Sequence, residues 1–129
     1  AAIAIEVHPP GSPRLRFVGT HLDHTKDETD RVLQATELNA LLSRSDLPTL
    51  LVGDLNATPG SAPMQVLLGA GWLPADPALE PTYPSDTPTQ KIDWILRSRS
   101  DSGELLDAEV LNEPIASDHC PYRARWVLP

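Results

Sequence analysis

Leu50-Leu51-Val52-Gly53-Asp54-Leu55-Asn56-Ala57-Thr58-Pro59-Gly60-Ser61 is the stretch whose reading decides the fold. The apolar run after Pro48 has the length and character of a buried strand, and it stops at Gly53. Asp54 and Asn56 follow at alternate positions, and a Pro-Gly turn comes next. In extended backbone, residues i and i+2 project to one side, so the carboxylate and the amide can converge on one ligand. The end of a buried strand is where open α/β sheets place their chemistry. An ordinary Asx turn closing a core strand is the plainer account of the same residues.

Three other segments carry His or Asp at the edge of an apolar run. They are Gly19-Thr20-His21-Leu22-Asp23-His24, Lys91-Ile92-Asp93-Trp94-Ile95-Leu96 and Ser117-Asp118-His119-Cys120-Pro121. Taken in order with the G-D-x-N stretch, they resemble the endonuclease/exonuclease/phosphatase superfamily, whose fold is deoxyribonuclease I-like. The resemblance runs from about Phe17 to Trp126. The T-H-L-D-H form, followed by a helix with Arg31 and Gln34-Ala35, is most similar to bacterial metal-dependent hydrolases of that superfamily. It implies an α/β protein, the C-terminal half of a four-layer α/β sandwich. One mixed, mostly antiparallel sheet with helices on one face is expected.

A chain of 129 residues suffices for one domain with a single core, and a 40% hydrophobic content fits a folded protein. The net charge of −8 argues against a general nucleic-acid binder, which normally shows a basic face. A metal-dependent phosphoesterase tolerates acidity, because bound cations offset its carboxylates locally. The one cysteine, Cys120, excludes an internal disulfide, and no apolar run approaches membrane-spanning length. Compartment is not legible. Ala1 to Val7 reads as a strand from the first residue, so the chain is expected to be a piece of a longer domain.

Residues 1–7 and Arg14 to Gly19 read as antiparallel strands around a Pro-Gly turn, with His8 a solvated loop residue. Thr25-x-x-Glu28 has capping-box spacing and predicts a helix to about Ser43. Val32, Ala35, Leu38 and Leu42 form its core stripe, and Arg31 beside it reads as a snorkelling surface residue. A short helix capped by Ser61, with Pro63 in its first turn, ends at Gly69 or Gly71. Pro74 to Pro88 reads as an irregular loop. Strands are expected near Ile92–Arg97, Glu104–Leu111 and Tyr122–Leu128, with Asp101-Ser102-Gly103 as the hairpin turn joining the first two.

Phosphate-ester hydrolysis needs an aligned water, neutralised phosphoryl oxygens and a protonated leaving oxygen. Asp118 is a hard oxygen donor suited to Mg²⁺ or Mn²⁺, whereas Cys-His zinc spacing is absent. Asp54 can orient or activate the water, and Asn56 can offer its amide to a phosphoryl oxygen. His119 beside a carboxylate can be held as imidazolium. The resemblance implies that Asp93 is that carboxylate and that His21 hydrogen-bonds the phosphoryl group or assists the leaving group. Tyr83 is placed near the substrate on the same basis, though an aromatic anchoring its Pro-rich loop is the plainer account and ranks first. His24 ranks below His21, Cys120 lacks a second base, and Asp23 is open as a further metal or supporting ligand.

In the resembled family the first half supplies an Asn and a metal-binding Glu, and neither appears here. The expected function is thus a divalent-metal-dependent phosphoesterase, or the C-terminal half of one. Its substrate would be a phosphorylated small molecule, a phospholipid head group or nucleic acid. The missing N-terminal half, or a second copy, is the expected partner. An inert scaffold module that keeps these motifs is the alternative.

Overall fold

The strand expected after Pro48 forms, and it lies at the middle of a five-stranded sheet. The computed structural model describes residues 1–100 and 103–127. In chain order these form β1 (Ala2–Val7), β2 (Leu15–Thr20), α1 (Thr29–Leu42), β3 (Thr49–Asp54), α2 (Ala62–Gly69), β4 (Leu73–Pro74), β5 (Asp93–Arg97), β6 (Glu104–Val110) and β7 (Tyr122–Val127). The sheet order is β1-β2-β3-β5-β4. Only β2 and β3 pair in parallel, because α1 crosses over between them; the other ladders are antiparallel. The protein is α/β with a mixed, mostly antiparallel sheet, as expected.

Register places Val18, Leu51 and Leu96 side by side, with Trp94 opposite Gly53. All four apolar side chains are buried on one face, in one cluster with Ala35, Leu38 and Leu42 of α1 and with Met64 and Leu67 of α2. Both helices therefore cover that face. The opposite face differs. Ile5 pairs with Phe17, and Val52 with Ile95, yet Ile3 and Ile5 stay 74% and 57% exposed and the others are only half-buried.

Several local expectations are corrected. The helix starts at Thr29, not at a Thr25 cap, because the Asp23 carboxylate engages both the backbone N–H and the hydroxyl of Thr25. Asp27, one residue ahead of the N-cap Glu28, instead satisfies the first turn, accepting from the Thr29 N–H at 2.9 Å and its hydroxyl at 2.6 Å. Packing against the sheet buries the line Arg31, Ala35, Leu38 and Leu42, and Val32 falls to its half-buried edge. Arg31 is consequently not a surface residue: it is 6% exposed and donates to the carbonyls of Asp23 and Thr25.

The expected hairpin between β5 and β6 also does not form. Both edges of β5 are taken, by β3 and by the unforeseen two-residue β4, and β6 pairs antiparallel with β7 in a ladder of its own. Asp101 and Ser102 lie outside the described residues. The short helix begins after Ser61 with Pro63 in its first turn, and Gly71 follows its end at φ +100°. The Ser61 hydroxyl, however, bonds back to the Thr58 carbonyl and not to the helix. Among the described residues no helix is long and apolar enough to cross a membrane.

Candidate active site

Asp54 ends β3 and stands opposite Asp93, the first residue of β5, in the antiparallel ladder. Two carboxylates facing each other across a ladder repel unless a cation or proton stands between them. His119 fills that role. Its Nδ1 lies 2.8 Å from Asp93 Oδ2 and its Nε2 lies 4.0 Å from Asp54 Oδ2. With Nδ1–H donated to Asp93, Nε2 is turned toward Asp54 and the adjoining cavity.

The imidazole of His119 is about a quarter exposed. Burial by itself would push its pKa down. The hydrogen bond to Asp93 and the negative charges of Asp93, Asp54 and Asp118 outweigh burial, so the pKa stands above the ordinary histidine value.

Asp54 divides its carboxylate between two tasks. Oδ1 accepts the Asn56 backbone N–H at 2.8 Å, so the Asx turn is real. Oδ2 faces the histidines, with His21 Nε2 at 3.6 Å. Asn56 is not extended, as alternation would have it, but sits at φ 47°. Its amide swings back to donate to the Leu22 carbonyl at 3.1 Å. His21 is well exposed, and its Nδ1 lies 2.8 Å from the same carbonyl.

A cavity of about 560 Å³ adjoins His119; Asn56, Tyr83, Asp118 and His119 lie on its wall together with His24 and Arg31, whereas Asp54, Asp93 and His21 do not line it. The Tyr83 ring packs against the His119 ring, with centroids 4.9 Å apart. Asp118 is exposed, and the nearby Ser117 hydroxyl is 3.4 Å from its Oδ1. Among the described residues, Asp54, Asp93 and His119 bring donor atoms within 4.8 Å of one another. His119 and Asp93 already share a proton, so this trio is a hydrogen-bonded relay before it is a cation cage.

Two other candidates stand apart. The Asp23 carboxylate is committed to Thr25, whose two hydrogen bonds hold its pKa below the usual carboxylate range. The Cys120 thiol is buried against the Ser85 carbonyl.

Sequence reading missed the residues that hold the relay in place. Thr82 is fully buried: its carbonyl accepts the Cys120 N–H at 2.8 Å, and its hydroxyl accepts the Asp93 N–H at 3.3 Å. Ser85 donates to the Ser117 carbonyl at 2.7 Å. Neither stands in a recognisable motif; a Thr and a Ser inside a Pro-rich loop look like solvated turn residues. Lys91 was missed too. Its ammonium is buried 3.5 Å from the Tyr122 ring centroid, and burial pushes its pKa down to about 8 against the pull of Asp76, Asp93 and Glu80.

The structure is similar to several solved ones. An endonuclease/exonuclease/phosphatase from Bacteroides vulgatus superposes with a TM-score of 0.84 at 20% identity, covering 99% of this chain and 55% of that one. A mannosyl-6-phosphatase from Bacteroides thetaiotaomicron gives 0.77 at 22%, over 90% and 52%. The human Nocturnin catalytic domain with bound sulfate gives 0.73 at 20%, over 96% and 53%. At these identities the likeness is one of fold, and the chain spans about half the length of each. No match was found among curated proteins. The family model for the Endonuclease/Exonuclease/phosphatase family matches residues 2–119, nearly the whole chain, and the chain belongs to that family.

Proposed function

We propose that this chain is the second half of a divalent-metal-dependent phosphoesterase acting on a small phosphorylated molecule. One observation carries the reading: the His119 imidazole, hydrogen-bonded to Asp93 at 2.8 Å, opens toward Asp54 and a cavity also lined by Asn56 and Asp118. Asp93 holds the ring and favours its cationic form, in which Nε2 can donate to a phosphoryl oxygen or to the leaving oxygen. Asp54 Oδ2 is the acceptor for a proton from the attacking water. Asn56 spends one amide N–H on Leu22 and has the other for a phosphoryl oxygen without adding negative charge. His21 flanks the same centre from the end of β2. Tyr83 limits the motion of the His119 ring and borders the substrate.

The exposed Asp118 carboxylate offers hard oxygens that fit Mg²⁺ or Mn²⁺. Such an ion would neutralise the phosphoryl charge when bound. A small substrate is favoured over duplex nucleic acid by the net charge of −8. The remaining half of the domain would cover the open sheet face and complete the site, in keeping with solved structures about twice as long.

The test is hydrolysis of bis-p-nitrophenyl phosphate against p-nitrophenyl phosphate by the intact protein, with Mg²⁺ and with Mn²⁺. Metal-dependent release that His119→Ala abolishes is expected. Release that is unchanged by chelator and by His119→Ala would overturn the proposal.

A further inference from the structure

Arg31 occupies the core line of α1, where a leucine would bury without desolvating a charge. Its Nε is buried with no hydrogen-bond partner, so the guanidinium sits there at a cost. What it does hold is the loop between β2 and α1. Nη1 donates to the carbonyl of Asp23, at 3.2 Å, and to that of Thr25. One turn further along the same helix, Gln34 Oε1 accepts the Asp23 N–H at 2.9 Å. The helix end of the loop is thus pinned at three backbone groups.

The other end of the loop is tied to the site. The Leu22 N–H donates to the Asp54 carbonyl at 3.0 Å, and the Leu22 carbonyl accepts the Asn56 amide at 3.1 Å. His21 packs its Nδ1 on that same carbonyl. Residues 21–25 therefore bridge a helix anchored in the core and two proposed site residues at the end of β3, Asp54 and Asn56.

We infer that Arg31 and Gln34 are positioning residues, which set the places of His21 and Asn56 by stapling the 21–25 loop to α1. Neither needs to touch substrate to do so. Displacement of a reacting group by about 1 Å can lower a rate about 10²-fold, so a helix-mounted staple is an effective control of geometry. The inference rests on the phosphoesterase reading for its catalytic consequence and on the chain's own contacts for its structural one.

Two variants and a rescue test it on the intact protein. Arg31→Met should lose some stability as the Asp23 and Thr25 carbonyls lose their donor, yet the protein that still folds should lose about 10- to 100-fold in kcat/KM, mostly through kcat. Gln34→Ala should speed exchange of the Asp23 amide proton and lower kcat, whereas Gln34→Glu, which keeps the acceptor oxygen, should restore both. In NMR spectra the His21 ring and Asn56 side-chain amide signals should move in Arg31→Met and Gln34→Ala and return toward wild type in Gln34→Glu. Unmoved His21 and Asn56 signals in both disruptive variants would overturn the inference, as would activity lost only in proportion to unfolded protein. If the wild type hydrolyses no phosphate ester, the functional reading fails alone, and the NMR signals still decide whether the staple exists.

Discussion

At the scale of single residues, the centre depends on how two carboxylates come to stand opposite each other at the sheet's end. Asp54 and Asp93 are ladder partners, and His119 hydrogen-bonds one while facing the other. Removing the imidazole takes away both a proton carrier and the charge between the carboxylates. His119→Ala and Asp54→Asn are each expected to lower turnover by at least about 10²-fold in steady-state assays of the intact protein. Asp118→Ala should instead act partly through metal affinity, so that raised Mg²⁺ recovers part of the loss.

The His119 pKa carries its own prediction. Because the folded value lies above the ordinary 6.5, the folded state binds the proton more tightly than the unfolded chain. The stabilisation is complete below about pH 6.5, while Asp93 is ionised, and is lost as pH rises through the folded value. Denaturant titrations in EDTA should show the stability gap between wild type and His119→Gln narrowing as pH rises above 6.5. A gap that widens would reverse the assignment.

At the scale of elements, the approach of β2 to β3 is set by Gly53. A Cβ there would meet the Thr20 carbonyl oxygen at 1.8 Å, and φ is +139°. No side chain fits without parting the strand ends that carry His21 and Asp54. Gly53→Ala should therefore lose more than about 2 kcal/mol in chemical denaturation, from backbone strain and the displaced carbonyl together. Helix α1 gives a milder case. Asp27→Ala should cost about 1 kcal/mol, since it removes the side chain that satisfies the first turn.

At the scale of the whole molecule, the sheet is finished on one side only. Trp94, Leu51, Val18 and Leu96 are closed in by both helices, while Ile3 and Ile5 reach solvent beside half-buried Phe17, Val52 and Ile95. A contiguous apolar sheet face of this kind favours a second layer, packed about 10 Å away. Purified by itself, the chain is expected to self-associate and to bind an apolar-surface dye, in light scattering after size-exclusion and in fluorescence. A dye-silent monomer of 14.0 kDa would mean that the face needs no cover. Calorimetry should also find no tight Mg²⁺ site, because the oxygen ligands proposed on this chain leave the ion mostly water-coordinated.

What the sequence determined by itself was the set of local facts. The apolar run Leu50 to Val52, Asp54 and Asn56 beyond it, and each of four short motifs are encoded within a few neighbouring residues. They sufficed for the sheet's central strand and for the identity of the groups near its end. Tertiary structure alone decided the rest. Thr25 looked like a cap, but Asp23 competes for it at close range. Arg31 looked solvated until docking on the sheet fixed which line of α1 faces inward. Asp101-Ser102-Gly103 suggested a hairpin, yet β5 had no free edge for β6. Thr82 and Ser85 were invisible because their partners, Asp93, Cys120 and Ser117, lie far along the chain. Local pattern records which backbone conformation a segment prefers. Which hydrogen-bonding group finds which partner is settled by competition among contacts that exist only once the chain has closed on itself.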